Sequence, residues 1–170
     1  MSKRLILFRH GKSDWDANFS RDHDRPVAER GIKAARTMGK LLAAAEAVPD
    51  SVVSSSAARA RTTMKLTIEA GDWQCQTRIT DHLYEASVHQ VLEVVHQEPE
   101  HHQSLMLVGH EPTWSELTTV LIGGGQMRVP TAAMVCIEFD VSTWQQVTAG
   151  RGMLLWLLPP KLMTKAKLFL

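Results

Sequence analysis

Cysteine is scarce in this chain. Cys75 and Cys136 stand alone, with no Cys-x-x-Cys pair, and read as two reduced, packing residues of a cytoplasmic protein. Long apolar runs are missing too. None approaches the ~18 residues that a membrane helix needs. The opening Leu5-Ile-Leu-Phe8 is too short for the apolar core of a secretory signal. Net charge is nearly absent, at +1 over 170 residues. No bulk attraction to nucleic acid or to an anionic membrane follows, so any anion site must be local. Gly123-Gly-Gly125 lacks the Gly-Lys-Ser/Thr that would make it a phosphate loop, and reads as a helix stop. Repeats, low-complexity tracts and linkers are absent as well, which leaves one domain over residues 1–170.

What is present is enough apolar residue, 44%, to bury a core. Leu5 to Phe8 is a continuous apolar run of the kind buried on both faces of a sheet, and it ends abruptly in Arg9-His10-Gly11. Lys12 to Arg25 is polar and reads as a loop ordered over that strand end. From Ala28 to about Ala47 the pattern is helical, with Ile32, Ala35, Met38, Leu42 and Ala45 on one stripe. Ser51 to Ser54 is a second strand, and Ser55-Ser56 read as the cap of a helix from Ala57 to Ala70, with Gly71 as its left-handed stop. A strand follows near Cys75 to Ile79, then a helix from Val88 to about Gln97. Ser104 to Val108 is a third apolar strand, again ending in Gly-His, and Pro112 opens the helix carrying Trp114, Leu117 and Leu121. Ala132–Phe139, Gln145–Thr148 and Met153–Leu158 read as further strands, and the lysine-bearing tail drapes over the fold. Helices alternating with strands predict a three-layer α/β/α fold around a mostly parallel sheet.

The chemistry lies just after each strand. The first delivers Arg9 and His10; the second Ser55, Ser56 and, one turn on, Arg59; the third His110. In parallel strands these groups meet at the carboxyl edge, where open α/β sheets bind ligands. Singly each is an ordinary strand end. Together they describe a phosphate site built of two guanidiniums, two imidazoles and a helix N-terminus. Arg61 competes with Arg59, but two residues are about 200° apart on a helix, and Arg59 lies nearer the strand end. A metal is not expected. His82, His89 and His96 recur every seventh residue, so two on one helix stand ~10 Å apart, too far to share an ion.

Arg9-His10-Gly11 resembles the signature of the histidine phosphatase superfamily, the phosphoglycerate-mutase-like fold. The likeness continues in order through Lys12–Trp15, Asp24-Arg25-Pro26-Val27 with Gly31, Ser55–Thr63, Leu83–Ser87, Val108–Pro112, Pro130-Thr131-Ala132 and Gly152–Lys161. It is strongest toward SixA-type phosphohistidine phosphatases, with Ser56 where many relatives carry proline. The resemblance implies that His10 is the nucleophile, that Arg9, Arg59 and His110 hold the phosphoryl oxygens, and that neither metal nor cofactor takes part. Two arginines beside a histidine keep it neutral and nucleophilic, and Ser13 adds a hydrogen bond to the anion. Glu85 sits where the wider superfamily carries its general acid.

The leaving group separates the possible substrates. An alkoxide needs a proton from a positioned acid, worth ~10²–10⁴-fold; an imidazole needs less help. Too little chain lies between Tyr84 and the third strand for a cap, so the site should be shallow and open to a residue on another protein. Phosphohistidine on a protein partner is therefore the expected substrate. A small phosphate ester cleaved with Glu85 as acid is the alternative. A binding module without turnover would not need a nucleophile, and a mutase would need a closed pocket.

Overall fold

The computed structural model describes residues 1–167. Six strands form one sheet: β1 (Lys3–Arg9), β2 (Ser51–Ser55), β3 (Gln76–Thr80), β4 (Ser104–Gly109), β5 (Met134–Phe139) and β6 (Gly152–Leu158), in the order β3-β2-β4-β1-β5-β6. The first four run parallel to one another. β5 runs antiparallel to both β1 and β6, so it alone is reversed. The α/β expectation holds, with one antiparallel strand let into the parallel set.

Alternation along β1 explains the layering. Leu5 and Leu7 face a core completed by α3 (Val88–His96) and α4 (Thr113–Ile122), through Val91, Val95, Trp114 and Leu117. Ile6 and Phe8 face the opposite core, built with α1 (Glu29–Ala44) and α2 (Ala58–Gly71) through Met38, Leu42, Ala60 and Met64. Each fully buried Leu or Phe contributes ~1.5–3 kcal/mol. β1 is thereby pinned on both sides, which fixes where its polar carboxyl end emerges. α3 begins with a capping box between Ser87 and Gln90, and α4 stops at Gly123, whose φ of 90° only glycine adopts freely.

Several boundaries differ from the sequence reading. Ala57, not a serine, is the N-cap of α2; the Ser55 hydroxyl instead accepts from the Ala57 N–H at 3.2 Å. Gly71 is the last residue of α2, and Asp72 takes the left-handed conformation after it. Glycine is required at 71 because a Cβ there would meet Gly39 O at 2.4 Å and the Trp73 indole at 2.3 Å. No strand forms at Gln145–Thr148; Trp144–Gln146 is a 3-10 turn. Trp144 and Val147 are three apart, and the turn lets both enter the core while the indole N–H donates to His102 O at 3.0 Å. The tail forms α5 (Pro160–Lys165), packed on α1; its last three residues, 168–170, lie outside the described residues. Among the described residues no helix is long and apolar enough to cross a membrane.

Candidate active site

Backbone register places the two histidines. Arg9 pairs with Gly109 across the parallel β1–β4 ladder, and the His10 N–H donates to Gly109 O at 3.1 Å. His10 and His110, the next residue of each strand, therefore emerge side by side, with ring centroids 5.2 Å apart. Ala132 N–H donates to His10 O at 3.0 Å, so His10 is held from both flanks. The Gly11 N–H donates to the Thr63 hydroxyl at 2.9 Å, and that hydroxyl donates to Arg59 O at 2.7 Å. These two bonds tie the end of β1 to the first turns of α2. Gly11 also lies against Gly31, whose O would stand 2.9 Å from a Cβ at position 11.

The His10 ring has one defined tautomer. Its Nδ1 lies 2.7 Å from Gly11 O. A carbonyl only accepts, so Nδ1 carries the proton and Nε2 keeps a free lone pair. Burial pushes the His10 pKa down to about 4, helped by Arg59, Arg9 and Arg25 and opposed by the bond to Gly11. Burial is thus the main cause of neutrality, and the arginine charges named by the sequence reading come second. His110 is pushed down to about 3, first by burial and then by His10 and Arg59. Its Nε2 lies 2.8 Å from the Ser55 hydroxyl.

Arg9, His10, Ser13, Arg59 and His110 all line one cleft of about 210 Å³. Arg61 is exposed, as the helical rotation required. Among the described residues, three side chains that line this cleft each carry a buried nitrogen with no partner: Arg9 Nε, Arg59 Nε and His110 Nδ1. Unpaired buried polar atoms are costly, and a donor set of two guanidiniums and an imidazole fits an oxyanion. Glu85 is not on this cleft. It lines an adjoining one of about 520 Å³, which shares Arg59, His110 and Glu111 with the first. Glu111 is engaged in capping α4, accepting the Ser115 N–H at 3.0 Å and its hydroxyl at 2.6 Å.

The loop after β1 supplies residues to which the sequence reading gave no role. Arg25, only 6% exposed, and Lys12 and Trp15 also line the first cleft. Arg25 donates to Asp22 Oδ1 from Nε at 3.2 Å and from a terminal nitrogen at 2.7 Å, and to the Ser13 hydroxyl. Arg59 donates to Asp22 Oδ2 at 3.0 Å and to Asp22 O at 2.8 Å. The Tyr84 hydroxyl donates to the same Oδ2 at 3.0 Å. Partial burial raises the Asp22 pKa, but the donors Arg25, Arg59 and Tyr84 prevail and bring it down to about 2. One carboxylate thus orients both guanidiniums. The alternating charges of Asp22-His-Asp-Arg25 ahead of Pro26 were the available signal, but a loop has no period to say which of them turn inward. Among the described residues no group of three or more His, Cys, Asp or Glu side chains is arranged to hold a metal ion.

The family whose model matches the chain, over residues 5–114, is described as the histidine phosphatase superfamily (branch 1). An uncharacterized protein of Mycobacterium tuberculosis is 40% identical over 135 residues, spanning 79% of this chain and 82% of that protein. Among solved structures, a candidate phosphohistidine phosphatase SixA from Nakamurella multipartitia superposes with a TM-score of 0.82 at 26% identity, over 94% of this chain and 97% of that one. A second such candidate, from Agrobacterium tumefaciens, gives 0.78 at 29% identity, over 93% and 98%.

Proposed function

The chain belongs to the histidine phosphatase superfamily, and from that premise we propose that it hydrolyses phosphohistidine on a protein partner, without metal, through a covalent intermediate on His10. The observation that carries this reading is the His10 ring: neutral, with Nδ1–H bound to Gly11 O, and with Nε2 left as the nucleophile beside two guanidiniums. In the first step the Nε2–phosphorus bond forms as the bond to the leaving nitrogen breaks, and the leaving imidazole takes up a proton from solvent water. His10 gains positive charge as it bonds, which strengthens its Nδ1–H bond to Gly11 O. Arg9, Arg59 and His110 hold the three equatorial oxygens, where charge builds in the transition state, with Ser13 as a further donor. In the second step water attacks phosphorus, the Nε2–phosphorus bond breaks, and phosphate leaves.

Openness supports a protein substrate. Only the short helix α3 and its connections lie between Tyr84 and β4, so that segment supplies no cap over the cleft. A phosphomonoesterase acting on small esters is the second reading, favoured by Glu85 lining the adjoining cleft that shares Arg59 and His110.

Rapid quench into alkaline denaturant, which preserves phosphohistidine, tests the mechanism with a radiolabelled phosphohistidine protein. The native chain should carry label on His10. His10→Ala should carry none and lose turnover by more than about 10³-fold. Full turnover by that variant would end the reading. Glu85→Gln should keep most phosphohistidine activity; a collapse on every substrate would move the assignment to the esterase.

A further inference from the structure

Trp15 stands at the mouth of the first cleft and is 63% exposed. The Arg25 guanidinium lies over its ring, 3.6 Å from the centroid. Here the usual order is inverted, since the charged partner is buried and the indole is out in solvent. Burial cannot account for an indole so placed, because an exposed ring gains little from the hydrophobic effect. The Arg25 fork is locked by two bonds to Asp22 Oδ1 and one to the Ser13 hydroxyl, so the ring is backed by a rigid cation on one face. Phe19 approaches edge-on, at 6.5 Å between centroids. With one face covered and 63% of the residue exposed, the other face meets solvent, and Trp15 lines the cleft together with Ser13 and His10.

We propose that Trp15 is a specificity-determining platform on which a planar, aromatic leaving group stacks while its phosphoryl group sits between Arg9, Arg59 and His110. The substrate class that follows is a phosphoryl group borne on a flat ring, with the imidazole of phosphohistidine as the occupant. This rests on the phosphohistidine reading for the identity of the ring, but not for the preference itself. A flat π-face gains dispersion and quadrupole contact on indole that a saturated group of the same bulk does not. Arg25 makes the platform preorganised, so the leaving group does not have to order it.

Calorimetry with three non-hydrolysable ligands tests the platform without turnover: phenylphosphonate, cyclohexylphosphonate and methylphosphonate. The native protein should bind the phenyl compound about five- to tenfold more tightly than the cyclohexyl one. Trp15→Ala should reduce that ratio below about twofold and leave methylphosphonate affinity unchanged, and Trp15→Phe should keep most of the preference. In turnover, Trp15→Ala should raise KM for phosphoimidazole and not for phosphoramidate, which has the same phosphorus–nitrogen bond and no ring. Equal weakening of all three phosphonates would reduce Trp15 to a prop for Arg25 and overturn the proposal, as would a native protein indifferent to phenyl against cyclohexyl. A phenyl preference in a protein that fails to turn over phosphohistidine would keep the platform and discard the proposed substrate.

Discussion

Acidification should destabilise this protein through the candidate site, and replacing His10 should blunt the effect. The His10 pKa lies at about 4 in the folded chain, against 6.5 for an ordinary histidine. Between those values the unfolded chain holds a proton on the ring and the folded chain does not. Proton uptake therefore favours unfolding: stability falls as pH drops from 6.5, and the loss is complete below pH 4. A gap of about 2.5 pH units, at about 1.4 kcal/mol each, amounts to about 3 kcal/mol. That is a large fraction of the ~5–15 kcal/mol that holds a typical domain together. His10 also contributes to the depression of His110, so His10→Asn relieves both rings. Urea unfolding of native and His10→Asn proteins, in steps from pH 7.5 to 4, reads the effect directly. The native protein should lose about 3 kcal/mol more than the variant over that range. Parallel curves would refute the argument, because they would mean that His10 titrates alike in folded and unfolded chains.

Two further substitutions probe the scaffold. Gly11→Ala should destabilise by about 1–3 kcal/mol and abolish turnover, because its Cβ would press on Gly31 backbone at 2.9–3.0 Å and displace His10; thermal melting and a turnover assay check both. Asp22→Asn should cut kcat about tenfold by freeing the Arg25 and Arg59 forks. It should change stability by no more than about 1 kcal/mol, since the carboxylate is 46% exposed and its ion pairs are screened. Unchanged kcat would show that the arginines keep their aim without it.

Much of this was legible in the chain. Buried strands announce themselves as apolar runs, so β1, β2 and β4 and the polar groups at their ends could be located, and convergence followed from parallel pairing. Gln145–Thr148 misled because a short segment lying between two strands reads as a third, whereas the spacing of three between Trp144 and Val147 suits a 3-10 turn. Gly71 misled because glycine serves close packing as readily as it serves a left-handed stop. The anchoring of His10 was hidden for a different reason. Its partner is the Gly11 carbonyl, a backbone group that every sequence contains and no side-chain pattern marks. Asp22, Arg25 and Tyr84 come together only through the path of the loop after β1, which leaves no periodic trace.

The spacing of the two imidazoles is inherited from main-chain pairing: they are the next residues after Arg9 and Gly109, which are paired across adjacent strands of the sheet. Insertions or deletions between Tyr84 and β4 would reshape the rim of the cleft and leave that spacing alone. Such an architecture can be refitted at its periphery, by lengthening the segment after Tyr84, with no change in the spacing of the two imidazoles. Diversity of substrate and constancy of chemistry would then be two outcomes of one hydrogen-bonded ladder.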